Sequence, residues 1–218
     1  MKRIKFKTIY KTKMADTVTP VGLYLRFRDQ YANTLLLESS DYHSKEESFS
    51  FIAIDPVVSV KAEDHHLRFS HNGIELENQK IGRNFNAIFE SYSQSIDLDC
   101  PEELKPFNGL YGYTTYDAVQ YFENISLDVA QAPSSIPLMQ YSFYRFVIAI
   151  NHFNDEMTLI ENIEKGTVSR IEEIQSIIDA QAFNTQKFEI VGEESSNVTG
   201  EEFKEYVKSA KSHCKRGD

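Results

Sequence analysis

The sequence has no run of about 18 apolar residues, so it offers no helix able to cross a membrane. It has two cysteines, Cys100 and Cys214. They lie far apart, fit a reducing cytoplasm better than a disulfide scaffold, and form no pair with zinc-site spacing. Basic residues are in short supply: 23 Lys and Arg stand against 33 Asp and Glu, a formal net charge of −10. A surface of that sign repels phosphate backbones and argues against general nucleic-acid binding. There is no Walker-type phosphate loop, no G-x-G-x-x-G and no G-x-S-x-G elbow. The basic start, Met1-Lys2-Arg3-Ile4-Lys5-Phe6-Lys7, has no apolar stretch after it and does not read as a secretory signal. What is present is a chain of 218 residues, 41% of them hydrophobic, enough for one large domain or two small ones.

Period-2 alternation over residues 3–10 reads as a strand with one solvated face, and the six Lys and Arg of the first thirteen residues are that face. Thr19-Pro20 supplies an N-cap followed by proline at N1. The helix it starts should reach Tyr31 and bury Val21, Tyr24, Leu25 and Tyr31. Leu35-Leu36-Leu37 is too short for a helix and reads as a buried strand ending in Glu38-Ser39. Phe49 to Ile54 is a strand closed by a turn at Asp55-Pro56, and Val57–Glu63 and His65–Phe69 are two more. Asn72-Gly73 suits a tight turn at φ > 0. Such close spacing of short strands predicts antiparallel sheet.

Further on, Phe85, Ile88, Phe89, Tyr92 and Ile96 have helical spacing over 84–97. An acidic loop with two prolines follows, from Asp97 to Pro106. Gly109 and Gly112 among tyrosines resemble a crowded sheet segment, and Tyr116–Phe122 a short helix. Residues 123–136 read as a long loop. Leu138–Ile150 and Met157–Ile160 are strands joined at Asn154-Asp155. Ile171, Ile174, Ile177 and Ile178 form a helical stripe within 167–182. Residues 184–198 read as a linker, with Phe188–Val191 strand-like. Thr199 and Glu202 then make a capping box, opening a helix whose stripe is Phe203, Val207, Ala210 and Cys214. The expected fold class is α+β, mainly antiparallel sheet flanked by helices.

Most polar residues have plain structural readings. Asp64-His65-His66 is the one histidine cluster, and adjacent strand residues point to opposite faces, so a single metal cannot readily take both rings. Cys100 has no activating neighbour in sequence. Glu38-Ser39 differs in kind, because a carboxylate and a hydroxyl directly after three leucines must find partners. A strand end whose serine bonds local backbone satisfies that requirement. So does a small polar pocket holding an α-amino group on the carboxylate and an acid group on neighbouring donors. Spacing leaves both open.

These residues resemble a known family. Leu35-Leu36-Leu37-Glu38-Ser39, Phe49-Ser50-Phe51-Ile52 and Asp55-Pro56 are similar to the "LLES … YSFIG-DP" block of anthranilate synthase component I. Thr19-Pro20-Val21 resembles its "TPV". Asn108 to Asp117 with Tyr121-Phe122-Glu123 resembles its "GG-x-x-GY-x-x-YD-x-x-RYFE" block, and Ile136-Pro137-Leu138-Met139 fits the next segment. Phe203 to Asp218 is similar to the helix that opens the chorismate-binding catalytic domain. There are departures: Ser48 and Phe49 replace a basic or tyrosyl residue, Ala53 the glycine of "FIG", Asn108 the first glycine, and Gln120 the arginine before "YFE".

The resemblance implies the N-terminal part of that family's β-sandwich-type fold. Residues 1–198 would be a tryptophan-sensing regulatory region, and 199–218 the truncated first helix of the catalytic domain. It implies a cytoplasmic large subunit that turns chorismate into anthranilate and pyruvate. That reaction uses Mg²⁺ and ammonia from a glutamine amidotransferase, component II, and L-tryptophan inhibits it by feedback. No catalytic residue, metal ligand or cofactor falls on this stretch. The implied tryptophan contacts are Leu37, Glu38 and Ser39, with Pro20 and Ser50 beside them: Glu38 would meet the ammonium, and Leu37 and Pro20 the indole. The folate-pathway homologue making 4-amino-4-deoxychorismate shares the architecture. A free-standing amino-acid-sensing module is a further reading.

Overall fold

Alternating apolar and polar residues write a sheet that the helices only line. In the computed structural model, which describes residues 3–39, 48–63, 65–82, 84–123, 125, 136–180, 189–193 and 195–217, the chain runs β1 (Ile4–Met14), α1 (Pro20–Arg28), β2 (Leu35–Glu38), β3 (Phe49–Glu63), β4 (His66–His71), β5 (Ile74–Lys80), α2 (Phe85–Ser93) and β6 (Ile96–Asp99). A 3₁₀ turn at Glu102–Phe107 leads to β7 (Leu110–Thr114), and a second at Tyr116–Tyr121 precedes β8 (Met139–Asn151), β9 (Glu156–Glu164), α3 (Ile171–Asp179) and α4 (Gly200–Arg216). The predicted long loop over 123–136 falls mostly outside the described residues.

The nine described strands form one sheet in the order β5-β4-β3-β8-β9-β1-β6, with β2 also on β3 and β7 also on β8. The fold is mixed and mostly antiparallel, as the sequence predicts. β3 and β8 are the long centre, paired from Phe49↔Asn151 to Ala62↔Met139. Each changes neighbour along its length. β3 pairs with β2 through Ser50–Ala53 and with β4 through Val58–Glu63. β8 pairs with β7 through Met139–Phe143 and with β9 through Phe146–Asn151.

The change on β3 comes at the dipeptide predicted to end a strand. Asp55-Pro56 does not close one; β3 continues through a register shift between Pro56 and Val58, with Asp55 at φ 63°. Proline has no N–H to give to a ladder, and a bulge is where a strand tolerates that loss. The Asn72-Gly73 and Asn154-Asp155 turns form as predicted, with φ of 48° at Asn72, 77° at Gly73 and 52° at Asp155.

Two expectations between residues 84 and 106 change. α2 ends at Ser93, and Ile96 opens β6, which pairs parallel to β1 through Ile4↔Ile96 to Lys7↔Asp99. The acidic stretch is therefore half strand and half 3₁₀ turn. β5 was not anticipated, because its sequence, Ile-Glu-Leu-Glu-Asn-Gln-Lys, is mostly exposed edge.

Helices line the sheet by short apolar stripes. α1 starts as predicted: Gly22 N donates to Thr19 Oγ1 at 3.0 Å with Pro20 at the first position. Its buried face is Leu23 and Phe27, and not the predicted Val21, which is exposed, or Tyr24, Leu25 and Tyr31, which are half-buried. Both sets have helical spacing, and contact with the sheet selects one. Leu23 and Phe27 join Ile52, Ile54, Phe146, Ile148 and the α3 residues Ile171, Ile174 and Ile178 in one cluster. α2 buries Phe85, Ile88 and Tyr92 against Phe6, Val58, Val60, Leu67 and Phe69 in another.

Residues 1–184 form one compact unit and 185–218 a second. In the second, Phe188 lies outside the described residues, and Ile190 and Val191 are irregular and exposed. α4 has the predicted capping box: Glu202 N donates to Thr199 Oγ1 at 3.2 Å, and Thr199 N to Glu202 Oε2 at 2.7 Å. That bonding holds the Glu202 carboxyl below its ordinary range. The helix closes on Gly217 at φ 82°, the left-handed cap that glycine adopts without strain. The predicted stripe of Phe203, Val207, Ala210 and Cys214 is not buried; no residue of α4 is.

Candidate functional site

Three leucines favour an extended, apolar segment, and among the described residues β2 has one strand partner, β3. Leu35 and Leu36 are consequently half-buried, and Leu37 is 38% exposed. This corrects the expectation of a buried strand. The register is Leu35↔Ala53, Leu36↔Ile52, Leu37↔Phe51 and Glu38↔Ser50. Residues directly opposite share a face of the sheet. Glu38 and Ser50 therefore lie on the face of Leu36 and Ile52, which pack with Leu23 and Phe27 of α1. Leu37 lies on the other face, with Phe51, whose ring sits 6.2 Å from Phe107 and 5.7 Å from Tyr111. Ser39 is one step beyond the ladder, its N–H donating to Phe49 O at 3.1 Å. Pro20 is half-buried at the start of α1.

Of the five residues singled out from sequence, the register brings Glu38 and Ser50 together and separates Leu37 from them. Ser50 is fully buried. Its Oγ lies 2.7 Å from Nε2 of His152, a residue that sequence reasoning passed over. His152 N donates to Ser48 O at 2.9 Å, continuing the β3–β8 ladder past Asn151. Only the strand register could have revealed this pair. It satisfies a hydroxyl that would otherwise be buried without a partner. Glu38 is exposed, and its carboxylate has no side-chain partner among the described residues. It is thus an available anion at the end of an apolar edge.

Residues 34–218 match the chorismate binding enzyme family. The chain belongs to that family. Anthranilate synthase component 1 of Lactococcus lactis subsp. lactis is 27% identical over 94% of this chain and 45% of its own length. Anthranilate synthase alpha subunit 2, chloroplastic, of Arabidopsis thaliana is 26% identical over 96% of this chain and 39% of its own. The crystal structure of anthranilate synthase component I from Streptococcus pneumoniae TIGR4 aligns with a TM-score of 0.56 at 19% identity, covering 94% of this chain and 45% of that one. That structural likeness shows the fold. The chain spans less than half the length of these relatives and is homologous to their N-terminal region.

In this member of the family, a charged cluster follows the end of α1. Tyr31 OH donates to Glu173 Oε1 at 2.6 Å, Arg170 pairs with Glu173 at 2.7 Å, and Arg170 Nη1 lies 3.6 Å from Asp55 Oδ2. The Arg170 guanidinium, then the Tyr31 hydroxyl, hold the Glu173 carboxyl at about 2. Burial, then the Glu173 carboxylate, push the Tyr31 phenol up to about 12. The cluster ties the β3 bulge to the starts of α3 and the end of α1. Among the described residues no three His, Cys, Asp or Glu side chains gather as a metal set. His65 sits in a turn at φ 59° and His66 opens β4. No described helix is long and apolar enough to cross a membrane.

Proposed function

We propose that this chain is the regulatory N-terminal region of an anthranilate synthase large subunit, and that the edge at Glu38-Ser39 holds the amino-acid end of tryptophan. The observation that carries the reading is Glu38: an exposed carboxylate without a side-chain partner among the described residues, at the tip of an apolar edge strand. A carboxylate there can accept charge-assisted hydrogen bonds from an α-ammonium group. Ser39, one residue past the ladder with its N–H on Phe49 O, would lie nearest the acid group. Leu37 offers an apolar surface at the same edge, and Pro20 a second. Ser50, already bonded to His152, fixes the strand opposite Glu38 and is a supporting residue more than a contact.

The proposal extends to the whole enzyme. The full-length protein converts chorismate to anthranilate and pyruvate, in the cytoplasm, with ammonia delivered by a component II amidotransferase. Mg²⁺ and the chorismate contacts belong to the part beyond residue 218, so this stretch alone makes no anthranilate, and no chemical step is assigned to its residues. The test is tryptophan inhibition of the full-length enzyme carrying Ser39→Ala. Loss of inhibition with retained turnover supports the reading; unchanged inhibition refutes the site. The homologue making 4-amino-4-deoxychorismate also uses chorismate and is the alternative reading. Product identity separates the two, since anthranilate is the ortho-substituted fluorescent compound.

A further inference from the structure

The β4–β5 hairpin meets the end of β9, which is joined to β1, and among the described residues no backbone ladder crosses that seam. Side chains close it. His71 Nε2 lies 3.1 Å from Glu164 Oε2, and Asn72 Nδ2 donates to the same oxygen at 3.3 Å. Beside this clasp is a cleft of about 520 Å³ lined by Arg3, Ile4, Lys5, His71, Leu76, Glu164 and Lys165. That volume is within the range of about 300–1,000 Å³ usual for small-molecule sites.

Two features set the cleft apart. Three cations, Arg3, Lys5 and Lys165, converge on it in a chain of net charge −10. Lys5 and Lys165 are held together by the backbone, Lys165 N donating to Lys5 O at 2.9 Å. Of the nearby acids, Glu164 is engaged by His71 and Asn72, and Asp97 lies 3.7 Å from Lys5. Three cations against these two carboxylates leave an excess of one positive charge, and a cleft with apolar walls concentrates its field. The second feature is a β-bulge. Phe69 faces Glu77 and Ser70 faces Glu75, so Leu76 is the extra residue between them. A bulge re-aims a side chain, and here it leaves Leu76, half exposed, in the cleft with Ile4.

We propose that this cleft binds a small organic acid, its acid group met by Arg3, Lys5 and Lys165 and its apolar body laid against Ile4 and Leu76. The site shares no residue with the Glu38 edge and stands independently of it.

The experiment is an amide-resolved NMR titration of the chain with benzoate, with its neutral isostere benzamide, and with inorganic phosphate, which has charge and no apolar body. Benzoate should give saturable shifts at Arg3–Lys5, His71, Leu76 and Glu164–Lys165, at least about tenfold tighter than either control. Arg3→Gln/Lys5→Gln/Lys165→Gln should abolish saturation with an unchanged thermal midpoint, since all three side chains are exposed. Leu76→Ser should weaken benzoate and leave phosphate as it was. Absence of saturation by benzoate, equal response to benzamide, equal response to phosphate, or shifts confined to other residues would each overturn the proposal.

Discussion

Arg145 lays its guanidinium along Glu161, with Nε at 3.0 Å and Nη2 at 2.9 Å from the same carboxylate oxygen. Glu161 is fully buried. Its two oxygens also accept from Arg170 N at 2.9 and 3.1 Å and from Ser169 Oγ at 2.6 Å. One carboxylate on an interior strand therefore satisfies the start of α3 alongside Ser169 Oγ, which accepts from Ile171 N at 3.3 Å, while the N-cap residue Arg170 makes no side-chain cap bond; the carboxylate's charge suits that end of the helix dipole. A buried charge stripped of its partner is costly. Arg145→Met should destabilise the fold by about 3–5 kcal/mol, read by urea unfolding. The double variant Arg145→Met/Glu161→Leu should recover part of that loss, because it removes the stranded charge as well. A single variant as stable as the parent would show that Glu161 is solvated in solution.

Asn108 and Asn162 exchange both amide hydrogen bonds at 2.8 Å, and Thr8 Oγ1 donates to Asn162 Oδ1 at 2.9 Å. All three are buried. The pair joins β1, β9 and the entry to β7, and it accounts for asparagine at 108 where the family pattern has glycine. Asn162→Ala leaves the Asn108 amide and the Thr8 hydroxyl short of partners, at about 1–3 kcal/mol for each group so stranded. Unfolding of Asn108→Gly, which removes one partner but restores the family residue, should be the milder of the two.

The Tyr31–Glu173 pair makes stability depend on pH at both ends. Glu173 is held at about 2 against an ordinary 4.5, so its contribution is complete above about 4.5 and is lost as pH falls toward about 2. Tyr31 is raised to about 12 from 10.0, so its contribution is complete below about 10 and is lost as pH rises toward about 12. Glu173 is half exposed, which keeps the effect near the about 0.2–1 kcal/mol of a surface pair. Glu173→Gln should flatten the acid limb of the thermal-midpoint profile, and Tyr31→Phe the alkaline limb. Parallel profiles for parent and variants would contradict the assignment.

Gly112 shows why the tyrosine-rich segment needs glycine. A Cβ there would lie 1.9 Å from Gln140 O and 2.7 Å from Tyr141 Cα, both backbone atoms that cannot step aside. Gly112→Ala should lift β7 from β8 and cost about 1–3 kcal/mol. Gly109, where a Cβ meets nothing within 4 Å, should accept alanine with little loss. Equal unfolding midpoints for the two variants would refute the close approach.

What could be read before folding was local. The capping box at Thr199, the Thr19-Pro20 helix start, the isoleucines of α3 and the two asparagine turns are each specified by residues within a few positions of one another. What could not be read depends on distant pairing. Asp55-Pro56 looks like a strand end until β8 is laid beside it. Ile96 fits the apolar face of α2 until β1 pulls it into a parallel strand. α1 offers two apolar faces, and the sheet selects Leu23 and Phe27. At the candidate site the motif drew attention to Glu38-Ser39, but only the β2–β3 register sets Glu38 opposite Ser50, and only the β3–β8 register brings His152 to Ser50. The apolar stripe of α4 was legible as a pattern, yet burial is a property of what lies against it.

The most direct measurement is tryptophan binding by the full-length enzyme and its Glu38→Gln variant, by titration calorimetry. Replacing the carboxylate removes a charge-assisted bond to the ammonium, a loss of about 1.5–3 kcal/mol. The account predicts a fall in affinity of about tenfold or more, with unchanged stability because Glu38 is exposed. Equal affinities for parent and variant would contradict the placement of the amino-acid end at Glu38.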